Sequence, residues 1–400
     1  MFEFSHLPVF FFIYLFIFFF FIFHFLYSWM GRSYRIHKSQ QSIRAVSHMQ
    51  LAPIIKEYAF PSDSVVVAGW SIDLFIHASL LTVLNPVLVC LYMIHQYMQV
   101  GSAIFSTFKG LLCIFIELAW LFRAFNIKSS SCPAEFQFTN PSKLVIMITG
   151  GSNGLGLELV KIYGSNPNVK QLIVMDVNET KELSDLERIH NGKIVFLKCD
   201  MGIPDRARKL TRYTFSKYGR VDALICNAGI RQDKPTMELQ QEEFHRLVQV
   251  NFISHCDMIR EVIKNHESAN KADRLHIVVV SSVLGFVSPK SLGIYSATKA
   301  SLTNFMDALR YEVPKQIILS TICPGQLTNR MFSDIDVGKT ILAPLVDHRK
   351  LAWRITEIIK KGRNGLFTYP FYAQFLPALR CMPWCIYRAL RKFSEMDATS

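Results

Sequence analysis

Hydrophobic positions along this 400-residue chain fall into two regimes. Residues 8–29, PVFFFIYLFIFFFFIFHFLYSW, contain no Lys, Arg, Asp or Glu, and the run exceeds the ~20 apolar residues that cross a hydrocarbon core. It predicts a transmembrane anchor over residues 1–30. A cleaved secretory leader is the other interpretation, but no basic region precedes the run and no small-residue cleavage site comes after it. The polar stretch at 31–72, where Arg32, Arg35, Lys38, Arg44 and Lys56 outnumber Glu57 and Asp63, is then a cytosolic linker by the positive-inside rule. Two further apolar halves, 74–98 and 103–125, predict a membrane hairpin across 73–127. Lys109 and Glu117 interrupt its second half, and a charge at mid-bilayer costs ~3 kcal/mol, so a re-entrant segment fits as well. Arg123, Lys128 and Lys143 favour a cytosolic side for the chain beyond the hairpin.

After a Ser- and Pro-rich linker at 128–142 the second regime begins. Short apolar runs at 144–149, 171–176, 193–200, 222–229, 276–282 and 317–325 alternate with helix-length amphipathic stretches. Buried strands alternating with helices predict an α/β fold, a Rossmann-type doubly wound parallel sheet, over 143–345. Residues 346–400 carry ten Lys and Arg against four Asp and Glu, interleaved with Trp353, Phe367, Tyr369, Phe371, Tyr372, Phe375 and Trp384. That mixture predicts a basic, aromatic C-terminal segment facing substrate or a membrane interface, although a solvated helix face has the same composition.

Composition sharpens this picture. Half of the residues are hydrophobic and the net charge is +13, yet no aromatic-basic RNA motif, zinc finger or basic helix accompanies the charge, so membrane lipid rather than nucleic acid is the expected partner. The nine cysteines show no repeated CxxC spacing and no His cluster, which argues against a metal site or a disulfide framework.

The first strand leads into Thr149-Gly150-Gly151-Ser152-Asn153-Gly154-Leu155-Gly156. In the strand-loop-helix context this spacing predicts a nucleotide site: Gly150 for the tight turn, Gly154 for close approach of the pyrophosphate, and Gly156 for helix-strand packing, with Ser152, Asn153 and Leu155 around the phosphate at the helix N-terminus. Asp176, at the end of the second strand, stands where an acid accepts hydrogen bonds from the adenosine ribose and repels the extra phosphate of NADP. No Arg or Lys occurs among Met175, Val177 and Asn178. The cofactor expectation is therefore NAD(H), with NADP(H) left open. Asp200, closing the third strand, is a candidate for the adenine end; a turn-capping role is open for both acids.

Tyr295 and Lys299 lie four residues apart, which on a helix places them on one side. A phenol is a weak base at neutral pH, and a neighbouring ammonium and a positive nicotinamide both favour its ionised form. With Thr149 to Gly156, Asn227-Ala228-Gly229, Asn251 after Val250, Ser282 thirteen residues before Tyr295, and Pro324-Gly325 with Thr328 three residues on, the chain over 144–330 resembles the short-chain dehydrogenase/reductase family. The resemblance implies a tetrad. Tyr295 is the acid/base, Ser282 steadies the substrate oxygen, Lys299 lowers the Tyr295 pKa and binds the nicotinamide ribose, and Asn251 holds a relay water. It also implies that Asn227, Ala228 and Gly229 support the adenine side, that Pro324, Gly325 and Thr328 lie at the nicotinamide, and that helices near 240–265 and 291–313 make a homodimer.

Within the family, the N-terminal anchor, the Asp-ended second strand and the tail FYAQFLPALRCMPW resemble the membrane-bound retinol and 17-beta-hydroxysteroid dehydrogenase branch. That implies an endoplasmic reticulum or lipid droplet location, a cytosolic catalytic domain and a hydrophobic alcohol or carbonyl lipid as substrate. Two alternatives stay open: an NADPH-dependent 3-ketosphinganine reductase, and a catalytically silent lipid-surface or scaffold protein that retains the fold.

Overall fold

The computed structural model describes residues 144–397 apart from 270–273, 330 and 332–341, together with 71–81, Val65 and a few isolated residues up to Ile116. The anchor expected over 1–30, the linker over 128–142 and most of 31–72 and 73–127 lie outside the described residues. Among the described residues no helix is long and apolar enough to cross a membrane.

β1 (Leu144–Thr149), β2 (Val169–Asp176), β3 (Ile194–Lys198), β4 (Ala223–Cys226), β5 (Leu275–Val280), β6 (Ile317–Pro324) and β7 (Gly365–Tyr369) form one parallel sheet in the order β3-β2-β1-β4-β5-β6-β7. All residues of β1, β4, β5 and β6 are buried, because helices cover both faces of a parallel sheet and neither side of a strand meets water. Leu144, Ile146 and Ile148 point to one face, where α2 (Gly154–Gly164) and α8 (His348–Lys360) pack with Leu159, Val160, Leu351, Ile355 and Ile359. Val145 and Met147 point to the other face. There α4 (Arg206–Tyr218), α6 (Ser254–Ala269) and α7 (Gly293–Glu312) contribute Phe215, Met258, Ile259, Leu302 and Met306. α3 (Lys181–Ile189) and α5 (Gln241–Val248) complete the wrapping. The order reverses direction between β1 and β4, which opens a crevice at their C-terminal ends.

The sheet does not close at residue 345. α8 and β7 both come from the segment expected to be a surface tail, and β7 pairs with β6 from Ser320–Gly365 to Pro324–Tyr369. β7 is an edge strand with half-buried residues, so it lacks the continuous apolar run that marks the inner strands. α8 buries Leu351, Ala352, Ile355, Ile358 and Ile359 at helical spacing beneath a basic outer side. The chain upstream joins the same unit. Asp347, which caps α8, donates its backbone N–H to Val65 O at 2.7 Å. On α1 (Ile72–Leu81), the carboxylate of buried Asp73 accepts the N–H groups of Phe371 and Tyr372 at 2.7 and 2.8 Å. The first turn of the expected hairpin is thus packed on protein.

Two imidazoles are sealed in this core. His276 on β5 shares a hydrogen bond with Ser320 Oγ at 2.9 Å, and His255 on α6 is wholly buried. Burial pushes both down to about 3. An unfolded His takes up a proton near pH 6.5, so the contribution of each is fully present above that pH and is lost as pH falls towards 3. Denaturant titrations of the full chain at pH 7 and pH 5 should show a loss on the order of 1–2 kcal/mol per buried His. A His276→Gln variant should lose correspondingly less between the two pH values; an unchanged difference would refute this account.

Candidate active site

β1 ends at Thr149, whose hydroxyl accepts the backbone N–H groups of Asn227 and Ala228 at 3.0 and 3.1 Å. Asn227 answers from β4: its amide donates to Thr149 O at 3.2 Å and Gly150 O at 2.9 Å. This latch turns the Gly150 carbonyl under the first turn of α2, and a Cβ at Gly156 would come within 2.0 Å of it. Gly150 and Gly154 adopt φ values of +67° and +54°, in the region that favours glycine. The Ser152 hydroxyl is buried and has no hydrogen-bond partner, while Asn153 is the exposed residue before α2. A Cβ at Gly154 would lie 3.2 Å from the Asn329 amide, so the segment after β6 flanks the loop.

Asp176 closes β2 beside this loop. One carboxylate oxygen accepts Ser152 N–H at 2.9 Å and the other accepts Val177 N–H at 2.7 Å, while Thr180 Oγ1 donates to Ser152 O at 2.9 Å. The acid is therefore both a brace of the glycine loop and a partly exposed acceptor at its rim. Asp200 accepts Gly202 N–H at 2.8 Å and Arg246 at 3.1 Å. Thr328 is likewise engaged, its hydroxyl sharing a 2.8 Å hydrogen bond with His348 Nδ1 at the start of α8. Gly325, after Pro324, donates to Tyr369 O at 2.6 Å.

The four expected tetrad residues converge on the C-terminal ends of β4 and β5, and all are buried. Asn251 lies in a π-helical turn, Gln249–Ile253, joining α5 to α6; such turns widen a helix and aim side chains out of register. Its amide donates to Ile230 O at 2.8 Å and Thr298 Oγ1 at 3.2 Å, and its carbonyl accepts Ile230 N–H at 2.9 Å. Lys299 donates to Val280 O at 2.9 Å, and its Nζ lies 5.8 Å from the centre of the Tyr295 ring. A Cβ at Gly229 would sit 3.4 Å from both Asn251 Oδ1 and Lys299 Nζ, so the glycine leaves room for both. The Ser282 hydroxyl caps Leu284 N–H at 3.1 Å and hydrogen-bonds the Tyr295 phenol.

Burial pushes Tyr295 up to about 12, with the Ser282 hydrogen bond working in the opposite direction. It pushes Lys299 down to about 8, opposed by Cys323 and Cys226. The same apolar wall disfavours both charges.

A residue the sequence does not announce positions the tyrosine. α7 begins after Leu292, which has no capping side chain, and the N–H groups of Ile294 and Tyr295 are accepted at 2.9 and 3.1 Å by Oε1 of Gln232, a buried residue from the loop after β4. Its Nε2 donates to Lys234 O and Thr236 Oγ1 at 3.0 and 3.3 Å. Helix N-termini leave such donors orphaned, and here the cap comes from sixty residues upstream.

Residues 144–339 match the short chain dehydrogenase family model. Among similar proteins are the uncharacterised oxidoreductase TDA5 of Saccharomyces cerevisiae, 25% identical over 259 residues (63% of this chain, 76% of the relative), and the 11-beta-hydroxysteroid dehydrogenase-like 2 of Arabidopsis thaliana, 26% identical over 219 residues (54% and 70%). Two solved structures share the fold, each with a TM-score of 0.51. A short chain dehydrogenase from Burkholderia cenocepacia in complex with NADP is 18% identical, covering 57% of this chain and 97% of that one. A 4-hydroxyisoleucine dehydrogenase complexed with NADH is 22% identical, covering 56% and 96%. With the sheet order and the latched glycine loop, these likenesses identify the chain as a member of the short-chain dehydrogenase/reductase family, an NAD(P)-dependent oxidoreductase. The orphaned Ser152 hydroxyl and the left-handed glycines fit the cofactor's pyrophosphate.

Two substitutions test this geometry. Gly156→Ala should abolish binding of NADH and NADPH alike in fluorescence titrations, because its methyl group meets a backbone carbonyl; retained binding would contradict the latch. Gln232→Ala should cut kcat roughly ten- to hundredfold while leaving the cofactor Kd unchanged, with Gln232→Glu, which keeps the acceptor, recovering most of the loss.

Proposed function

We propose that this chain is a membrane-attached dehydrogenase or reductase that moves a hydride between NAD(H) and a secondary or allylic alcohol, or its carbonyl, on a hydrophobic lipid of the steroid, retinoid or long-chain kind. The observation that carries the reading is the convergence of Tyr295, Ser282, Lys299 and Asn251 beside the latched loop. A bound nicotinamide supplies or takes up the hydride. Tyr295 moves the proton at the substrate oxygen. Ser282 holds that oxygen, and Lys299 and Asn251 hold the ribose and the route by which the proton is replaced. Burial keeps the phenol protonated at neutral pH, which suits carbonyl reduction; oxidation needs added positive charge to stabilise phenolate.

Asp176 supports NAD(H): its carboxylate is held at the rim of the loop, where it repels a ribose phosphate. The 11-beta-hydroxysteroid dehydrogenase name of a relative supports an apolar, ring-bearing or long-chain substrate. The apolar runs at 8–29 and 74–98 support attachment to the endoplasmic reticulum or a lipid droplet, with the domain towards the cytosol. Phe244 and Ile253, exposed on and just after α5, support a homodimer there.

The test is a titration of the detergent-solubilised full chain with NADH and NADPH, alongside Tyr295→Phe and Asp176→Ser. NADH should bind more tightly to the wild type, Asp176→Ser should strengthen NADPH binding about tenfold, ~1.4 kcal/mol, and Tyr295→Phe should keep binding while losing roughly 10²–10⁴ in turnover of hydrophobic ketones. A wild-type preference for NADPH would remove the NAD assignment and bring a 3-ketosphinganine reductase forward. Because Lys299 loses its proton as pH rises through about 8, reductase activity should hold through neutral pH and fall above it.

A further inference from the structure

We propose that the face built by residues 371–394 docks the catalytic domain onto an anionic lipid surface and holds the loop between Ser282 and Tyr295 against it. This rests on the membrane-attached reading above, though not on its chemistry.

The charge of this face is mainly positive. Residues 371–394 contain Arg380, Arg388, Arg391 and Lys392 and no Asp or Glu, and Asp397, just beyond them, pairs with Arg391 at 2.6 Å. The 3-10 helix Phe371–Cys381 and α9 (Trp384–Ser394) carry much of that stretch, and no residue of α9 is buried. Its exposed residues, Trp384, Cys385, Arg388, Ala389, Lys392 and Phe393, repeat at four-residue intervals along one side. Trp384 is 69% exposed and Phe375 on the preceding helix is 57% exposed. An aromatic ring that can enter the headgroup layer beside cations that bind its phosphates is the composition of an interfacial surface.

Connectivity gives the orientation. The Asp73 carboxylate caps the start of this face through Phe371 and Tyr372, and the apolar run 74–98 continues directly from Asp73. The start of that run is thus tied to the start of this face. This face and the residues just after it grip the loop between Ser282 and Tyr295: Arg380 Nε donates to Phe286 O at 2.7 Å, and Lys290 N–H donates to Asp397 Oδ1, beyond α9, at 2.9 Å. A substrate dissolved in the bilayer would then meet the loop that bounds the catalytic groups.

Charge also selects the occupant. A second copy packing this face against itself by two-fold symmetry would set like charges together, whereas an anionic bilayer complements all of them.

The full chain can be reconstituted into vesicles of phosphatidylcholine, with or without phosphatidylserine, and with ordinary or brominated acyl chains. The emission lost in Trp384→Phe isolates the signal of Trp384. That signal should be quenched by brominated chains when phosphatidylserine is present, and Arg388→Gln with Lys392→Gln should lose the quenching. Equal quenching without phosphatidylserine would overturn the role of charge. No quenching, with Trp384 open to aqueous acrylamide, would overturn docking; protection from both quenchers would overturn it too, and would mean that protein, such as a second copy, covers the face. The readout needs neither cofactor nor turnover, so it stands or falls apart from the enzymatic assignment.

Discussion

The amide of Asn227 sits where β1 and β4 part, and most of the site takes its geometry from that position. Holding the carbonyls of Thr149 and Gly150, it converts the end of β1 into a turn of fixed shape. The Gly150 carbonyl then lies so close under α2 that position 156 has no room for a side chain. The Thr149 hydroxyl completes the reciprocity by accepting from the β4 side. Because the strands are parallel and their helices leave on opposite faces, the crevice above this latch opens without displacing core side chains.

The chemistry occupies a medium that resists charge. A phenol and an ammonium donor, both buried, are pushed in opposite directions by the same apolar surroundings, each towards its neutral form. The protein offsets this with directed dipoles: the Val280 carbonyl for Lys299, the Ser282 hydroxyl for Tyr295, and the Gln232 carbonyl at the head of the helix that carries both residues. Position is thus set by hydrogen bonds made within the apoprotein.

The legibility of the chain depends on how local each interaction is. β1 to β6 show as apolar runs because inner parallel strands are buried on both faces, and the glycine loop and the Tyr295–Lys299 pair show because their geometry is fixed by short spacings. β7 escapes notice because an edge strand with half-buried residues has no such run, and because the basic outer side of α8 masks an apolar stripe beneath it. Gln232 is invisible because the donors it caps are some sixty positions away. The partners of Asp200 and Thr328, Arg246 and His348, are equally hidden from the sequence because the fold sets them. The apolar character of 8–29 is plain in the sequence, while its placement lies outside the described residues.

The joints at Val65 and Asp73 separate two meanings of the word domain. By similarity the oxidoreductase begins at residue 144, but Val65 is buried in the same cluster as β1 and α8, and Asp73 satisfies two N–H groups at the start of the C-terminal face. A protein cut at residue 144 would retain the catalytic groups and lose the acceptor for those donors, along with part of one core wall. The physical unit is circular in character: segments from both flanks of the family region meet each other, and the region between them is complete only when both are present.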